Sequence, residues 1–496
     1  MRKHRARIFQ PVKSHLYMLN PQIFRAYDIR GIAHKPQSTQ NPDLTPETIF
    51  LIGKGSGTYL QRNYGKNLVV SYDCRISNPE LANAFIDGLL ATGCSVTVIG
   101  MVPTPMLYFA VCNLGFDGGA SITASHNPKE YNGVKLVAKN AHSICGDELQ
   151  DVLKIIQNND FETASTTPGA STVQVAGTKT SLDIFPTYLK KLTETIKISR
   201  PLTIVVDSGN GATGPYIKPF FEALGCNVIP LFEEPDGSFP NHEANPEELK
   251  NMQDLIEAVK QNHADIGFGF DGDGDRVGVV DENGKMYSAD LILLQLAREL
   301  LARKPGEQIV FDSKASQVLI DDIKTHGGIP IMAKTGHSFI EQKMKEIGAL
   351  LAGEISGHLF FAENYYGFDD AFLGAGRILE ILAKTNKPFS NLFDDVPVTA
   401  CTPELKSPCP DDQKFRIVDE ITKNLTQKYD CITLDGVRVN FDKNSWGAVR
   451  ASNTSPNLTL RFEAPTEDRL KEIVKLMLEE LKKYPQIDLW WENQFE

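Results

Sequence analysis

Ile204-Val205-Val206-Asp207-Ser208 reads as a buried strand that delivers the chain to a polar loop, and the sequence carries that design three times. The other copies are Leu68-Val69-Val70-Ser71-Tyr72-Asp73 and Ile309-Val310-Phe311-Asp312-Ser313. A short apolar run bounded by turn residues predicts a strand covered on both faces. A helical stretch follows each loop, from about Asn78 in the first copy and about Pro215 in the second. A glycine then stops it (Gly93, Gly225, Gly327) and a return strand begins. This is the βαβ signature. Copies separated by roughly a hundred residues or more are too far apart for a solenoid, so one α/β domain recurs three times. Ligand chemistry in such domains belongs at the carboxyl ends of the strands.

The rest of the chain differs. Pro397, Pro403, Pro408 and Pro410 crowd together and predict a linker. Beyond it the pattern gives a helix over about Asp411 to Tyr429, two short strands, and a final helix over about Thr466 to Tyr484. The expected fold is therefore α/β: three similar α/β domains of mixed sheet flanked by helices, then a smaller C-terminal α+β domain. The expected boundaries are 1–20 for a basic tail, then 21–176, 177–285, 286–397 and 398–496.

Bulk composition narrows the function. The 496 residues exceed what one core can organise. A formal net charge of -12 excludes a general nucleic-acid binder, although local basic clusters still permit anionic small substrates. Eight cysteines without a CxxC pair fit a reducing compartment, and Cys94, Cys226 and Cys431 read as buried small hydrophobes. No apolar run reaches the ~20 residues of a membrane span. The segment from Met1 to Asn20 holds five Lys or Arg and no acid, and it lacks the apolar core of a secretory signal. It reads as a disordered basic tail, with an amphipathic targeting peptide, or a start at Met18, as alternatives.

Asp271-Gly272-Asp273-Gly274-Asp275-Arg276 is the strongest chemical signal. Three carboxylates alternate on a glycine-permitted bend between two apolar runs, so they can point at one hard divalent cation. With Glu282 they match the spacing of an EF-hand, but Arg276 stands where that loop needs glycine and the flanks read as β. A catalytic Mg²⁺ is the better reading, against the bland alternative of an acidic turn.

Thr123-Ala124-Ser125-His126-Asn127-Pro128 is the second signal. A serine hydroxyl becomes a useful nucleophile or phosphate carrier only beside positive charge and a proton acceptor. His126, Lys135 and a metal on the three Asp are the nearest suppliers in sequence logic. No G-x-S-x-G elbow supports a serine hydrolase, while a plain polar turn stays open. Arg25, Tyr27 and Arg30 suit an anionic sugar phosphate, or a structural ion pair with Asp28. Glu354, Ser356 and His358 alternate on an extended loop and face one side, as contacts to adjacent sugar hydroxyls would. Arg450-Ala451-Ser452-Asn453-Thr454-Ser455 has the makings of a phosphate nest.

Taken together, T-A-S-H-N-P, D-G-D-G-D-R, G-E-I-S-G-H and R-A-S-N-T occur in order, one per expected domain. From about Pro21 to its end the sequence closely resembles the α-D-phosphohexomutase superfamily, in its bacterial phosphomannomutase/phosphoglucomutase branch. The resemblance implies a heart-shaped molecule with a central cleft, in which Ser125 carries a phosphate and one Mg²⁺ sits on Asp271, Asp273, Asp275 and that phosphate. It places Arg276 beside the metal, and Tyr27, Arg30, His126 and Lys135 around the transferring group. It further implies that Glu354, Ser356 and His358 form the sugar-specificity loop and that Lys314 and His337 make further substrate contacts. Arg450, Ser452, Asn453 and Thr454 would then grip the non-reacting phosphate, and Arg30, His126, Lys135 and His358 would serve catalysis. One departure stands out: members of this branch often carry an arginine shortly after the lysine equivalent to Lys314, and here the run is Lys314-Ala315-Ser316-Gln317.

The implied reaction interconverts the 1- and 6-phosphates of mannose and glucose through a hexose 1,6-bisphosphate, which also serves as activator. Phosphoglucosamine mutases more often have Gln where Ile355 stands, so that activity is the alternative, beside a non-catalytic phosphosugar-binding protein and a metal-dependent phosphatase. The expected partners are hexose phosphates, with no nucleic acid and no membrane. A cytoplasmic monomer is expected, a dimer being the alternative.

Overall fold

The computed structural model describes residues 19–33, 42–164, 177–453 and 455–495. The expectations for the basic N-terminal segment, for Met18 and for Thr454 lie outside the described residues.

Three mixed sheets repeat one order of strands. In the first, Asn67–Tyr72 is flanked in parallel by Ser95–Met101 and Gly118–Ile122, and Tyr131–Ala138 turns back antiparallel to Gly118–Ile122. In the second, Thr203–Asp207 has parallel neighbours Asn227–Leu231 and Ile266–Phe270, and Val277–Asp281 turns back. In the third, Gln308–Asp312 lies between Ile329–Ala333 and Leu351–Gly353, and Leu359–Phe361 turns back. The central strands are the three runs read from the sequence. Ile204, Val205 and Val206 are fully buried, as helix-covered parallel strands require. The crossover helices Asn78–Ala91, Gly214–Ala223 and Gln317–Thr325 are followed by Gly93, Gly225 and Gly327, all at positive φ. That left-handed conformation ends a helix at little cost only for glycine.

The repeated order has one consequence for the site. In every copy the hairpin between the third and fourth strands opens at the same place, and those three hairpins are residues 123–130, 271–276 and 354–358. Three of the four motifs therefore occupy equivalent loops of three related sheets.

A shared core keeps the copies in register. Tyr188, on the connecting helix Phe185–Thr195, packs against Phe109 of the first unit and Phe372 of the third. Phe372 in turn meets Phe220, Phe221 and Phe270 of the second. Each such fully buried ring contributes ~1.5–3 kcal/mol, and Phe372→Ala would cost ~3–5 kcal/mol through the cavity it leaves.

The C-terminal unit is an antiparallel sheet built on Val437–Asp442, Ser445–Ala451 and Asn457–Ala464. It departs from expectation in three ways. The proline-rich stretch is more than a linker: Ala400–Cys401 and Leu405–Pro408 both pair with Asn457–Ala464. Pro408 ends its strand, where a missing N–H does no harm. The expected pair of strands is in fact a larger sheet, with Asp430–Ile432 as one edge. The first helix is shorter than expected, Lys414–Leu425, because Pro410 accepts the amides of Gln413 and Lys414 and Asp411 is drawn into ion pairs. The final helix, Glu467–Leu481, starts at its Thr466 cap. Cys94 and Cys226 are buried, whereas Cys431, on the edge strand, is only half-buried.

Candidate active site

The Asp271 loop organises itself. Asp271 Oδ1 accepts the amides of Gly274 (2.9 Å), Asp275 (3.2 Å) and Arg276 (3.2 Å), which folds the hexapeptide around its own first carboxylate. Gly272 is required by a neighbour: a Cβ there would stand 2.7 Å from the Ser125 carbonyl oxygen. That absence of a side chain lets the loops of two different sheets touch. Thr104, not singled out in the sequence, fixes Asp273 by donating from its hydroxyl to Oδ2 at 2.8 Å.

Ser125 sits in that contact. Its φ of +51° is a conformation that costs a non-glycine residue of order 1–3 kcal/mol, so its surroundings must hold it there. They do so largely through Arg75, which is 1% exposed and which the sequence reading missed. Arg75 Nη2 donates to the carbonyls of Ser125 (2.7 Å) and Asn127 (2.6 Å), and Nη1 to those of Pro128 (2.8 Å) and Tyr131 (3.0 Å). Asp73 pairs with Arg75 and accepts from Thr123 Oγ1, which itself accepts the Ser125 amide. The only sequence signal for Arg75 was its place just after the first repeated strand. Held this way, Ser125 Oγ donates to Asp271 Oδ2 at 2.6 Å and lies 3.3 Å from His126 Nδ1.

Electrostatics identify what the triad lacks. Asp271, Asp273 and Asp275 are all fully buried, and one oxygen from each lies within 4.8 Å of the others. Burial, then Asp275 and Asp273, push Asp271 well above the usual carboxylate range. Burial also opposes ionisation of Asp275, but Lys135 and His358 outweigh it and hold Asp275 well below that range. Lys135 lies 3.1 Å from Asp273 Oδ2 and pairs with Asp275. Even so, Asp273 Oδ1 is buried without a hydrogen-bond partner among the described residues, and Asp275 Oδ1 has only the His358 imidazole, 3.4 Å away. Three buried carboxylates with an idle oxygen on Asp273 and no soft ligand fit a hard divalent cation.

The third hairpin lies opposite. Glu354, Ser356 and His358 do converge, but through a turn rather than strand alternation: Gly357, at φ +100°, closes it, and Glu354 N–H donates to the His358 carbonyl at 2.9 Å. Glu354 Oε2 lies 3.1 Å from His358 Nδ1, and Ser356 Oγ 3.0 Å from the same nitrogen. Burial and Arg276 oppose protonation of His358, yet Asp275 and Glu354 push its pKa up to about 10. His337, at the N-terminus of helix His337–Ile347, stacks on His358 and is edge-on to Tyr27. Burial lowers its pKa to about 4. Arg30 pairs with Asp28, as the structural reading of this stretch expects, and also donates to the Thr123 carbonyl.

The C-terminal unit closes the ring. Arg450 donates to Asp435 at 2.7 Å, and Asp435 accepts the Thr335 amide of the third unit at 3.0 Å. Asn453 Nδ2 donates to the Thr335 carbonyl. Lys314 pairs with Glu404 at the head of the C-terminal unit. A cavity of about 370 Å³ lies between all four units. Tyr27, Arg30, Ser125, His126 and Lys135 face it, with Arg276, Lys314, His337, Glu354, Ser356, His358, Arg450, Ser452 and Asn453. Apart from Arg25, which pairs with Asp411 instead, the described candidates line one cleft or, for the three Asp, lie at its floor beside Ser125. The sequence reading missed Lys406, Glu404 and Glu247, which also line it. Lys406 supplies a cation in the cleft of a chain that has no arginine shortly after Lys314.

Three α/β units and an antiparallel C-terminal unit meeting at one cleft over an acidic triad define a class, and the comparisons with known proteins agree with it. Family models of phosphoglucomutase/phosphomannomutase match in order: alpha/beta/alpha domain I over residues 21–163, domain II over 186–284, domain III over 288–399, and the C-terminal domain over 404–480. The chain belongs to the phosphoglucomutase/phosphomannomutase family, within the α-D-phosphohexomutases. It is 42% identical over 465 residues to a phosphomannomutase/phosphoglucomutase of Pseudomonas aeruginosa, covering 94% of this chain and 96% of that protein. It is 40% identical to a phosphoglucomutase of Neisseria gonorrhoeae, covering 91% and 95%. A solved phosphoglucomutase/phosphomannomutase family protein of Burkholderia thailandensis superposes with a TM-score of 0.84 at 39% identity, covering 94% of this chain and 98% of that one.

Proposed function

We infer that this protein is a phosphohexomutase that interconverts the 1- and 6-phosphates of mannose and glucose, with Ser125 as the phosphoryl carrier. The observation that carries this reading is the 2.6 Å contact of Ser125 Oγ with Asp271 at the floor of a cleft lined by four units. In the forward half-reaction the bond from phosphorus to Ser125 Oγ breaks and one to a sugar hydroxyl oxygen forms. That hydroxyl gives up its proton to a neighbouring group. Return of the other phosphate of the hexose 1,6-bisphosphate restores phospho-Ser125.

The residues divide this work. Asp271, Asp273 and Asp275, with a phosphate oxygen on Ser125, would hold Mg²⁺, whose charge offsets that of the moving phosphoryl group. Arg276, Arg30 and Lys135 add fixed positive charge around it, and His126 and His358 complete the set of proton donors and acceptors. Glu354, Ser356 and His358 read the sugar hydroxyls from one turn, with Lys314, His337 and Tyr27 beside them. Arg450, Ser452 and Asn453, together with Thr454, grip the phosphate that does not react. The intermediate must turn end over end, so the same nest has to accept either phosphate.

The four units correspond in this reading to domains 21–176, 177–285, 286–397 and 398–496, acting as one cytoplasmic monomer whose site is complete within a single chain. No helix among the described residues is long and apolar enough to cross a membrane, and all eight cysteines are free. Coupled assays with glucose 1-phosphate, mannose 1-phosphate and glucosamine 1-phosphate test the substrate. Turnover of the first two is expected, and robust turnover of the amino sugar alone would overturn the assignment.

A further inference from the structure

The loop that carries Lys314 into the cleft belongs to the third unit, yet its backbone is held from the C-terminal one. Arg438, on the strand Val437–Asp442, donates from Nη1 to the carbonyls of Ser313 (3.0 Å) and Ala315 (2.6 Å). Arg461, on Asn457–Ala464, donates from Nη1 to the Lys314 carbonyl (2.7 Å) and to Asp290 Oδ2 (3.0 Å). Glu463 accepts the Gln317 amide at 3.0 Å. Three consecutive carbonyls and one amide thus find their partners 123 to 147 residues away.

Stability alone does not account for Arg438. It is 1% exposed and lies over the Trp446 ring at 3.7 Å, while its Nε and Nη2 have no hydrogen-bond partner among the described residues. A buried guanidinium with two idle nitrogens is costlier than an apolar side chain of similar length. Its one engaged nitrogen fixes the chain on both sides of Lys314.

We propose that Arg438 and Arg461 are positioning residues for sugar-phosphate binding: by gripping the carbonyls of Ser313, Lys314 and Ala315, the C-terminal unit sets where Lys314 points. The proposal rests on the reading of Lys314 as a substrate contact. It gives the C-terminal unit two actions on substrate, one direct through the loop around Arg450 and one through Lys314. The Lys314 ammonium pairs with Glu404, so the same unit holds both the backbone and the tip of this residue.

Steady-state kinetics with glucose 1-phosphate on Arg438→Met, Lys314→Ala and the double variant test it. Met keeps an unbranched stem over Trp446 and removes the donors. The expected result is a KM raised about tenfold in Arg438→Met with kcat within about threefold of wild type, and at most about a twofold further change when Lys314 is already Ala. An equal KM rise in both backgrounds overturns the proposal. So does an unchanged KM in Arg438→Met beside a raised one in Lys314→Ala. An unchanged KM in Lys314→Ala itself overturns the reading of Lys314 and the proposal with it. If the Met variant does not fold, Arg461→Met, which removes the donor to the Lys314 carbonyl, is read in the same two backgrounds by the same criteria.

Discussion

Ser125 and Asp271 are 146 residues apart in sequence, and the hydroxyl of the first donates to Oδ2 of the second at 2.6 Å. Each stands on the hairpin between the third and fourth strands of its own sheet. The proposed phosphoryl carrier and the acidic triad therefore stand on the same loop in two copies of one design, brought together where Gly272 removes the side chain that would keep them apart.

Metal should couple to stability through that contact. Mg²⁺ at a hundred times its Kd would add about 2.7 kcal/mol, seen as a raised thermal midpoint. Asp273→Asn should lose most of that gain. In chelator it should be less stable than wild type, because burial and Asp275 oppose ionisation of Asp273 but Lys135 and Arg30 outweigh them and hold its carboxylate below the usual range. Thermal unfolding with Mg²⁺ titrated against EDTA checks both statements.

Arg75 should prove a stability residue with a catalytic cost. Arg75→Met leaves Asp73 as a buried unpaired carboxylate and four carbonyls of the Ser125 loop without their donor. A loss of ~3–5 kcal/mol is expected from breaking a buried pair on one side. Urea unfolding measures it, and Asp73→Asn combined with Arg75→Met should recover part of the loss.

The strap Arg25–Asp411 should behave oppositely. It joins the first and C-terminal units across the cleft, and Asp411 also pairs with Lys414, which donates to the Ser455 carbonyl next to the phosphate loop. Arg25 and Asp411 are partly exposed, so Arg25→Ala should cost no more than ~1 kcal/mol. KM for the sugar phosphate should still rise, because the loop loses one of its ties to the first unit. Urea unfolding and steady-state kinetics on the same preparation separate the two effects.

Much of this was legible in the sequence for a physical reason. The three central strands are buried on both faces and so are written as unbroken apolar runs, and their helix stops require glycine. The acidic hexapeptide shows itself because three carboxylates so close together need either a cation or a strong reason to coexist. What the sequence hid is long-range. Arg75, Arg438 and Arg461 donate to backbone carbonyls, which any sequence provides, so no local pattern marks them. The turn at Gly357 looked like an extended loop because alternation and a tight turn both converge the same three side chains. The strands Ala400–Cys401 and Leu405–Pro408 were masked by the prolines around them.

Asp370 should give a measurable pH signature. Burial raises its pKa to about 6 although it accepts from Tyr188, Tyr365 and the Leu373 amide at the start of helix Ala371–Ala383. Between an unfolded value near 4 and the folded value the native state binds the proton more tightly, so this contribution to stability falls as pH rises through that window. Two units correspond to ~3 kcal/mol. The destabilisation by Asp370→Asn should therefore be smaller at pH 7 than at about pH 4.5, by roughly 2 kcal/mol. Urea midpoints of both proteins at the two pH values test the sign.

The most direct measurement is the intact mass of the native chain after incubation with a hexose 1,6-bisphosphate and Mg²⁺, beside Ser125→Ala. The expected result is one added phosphate per chain, mapped to Ser125, absent from the variant, and transferred to sugar when mannose 6-phosphate is supplied. A native chain that isomerises glucose 1-phosphate while Ser125 never carries phosphate would contradict it.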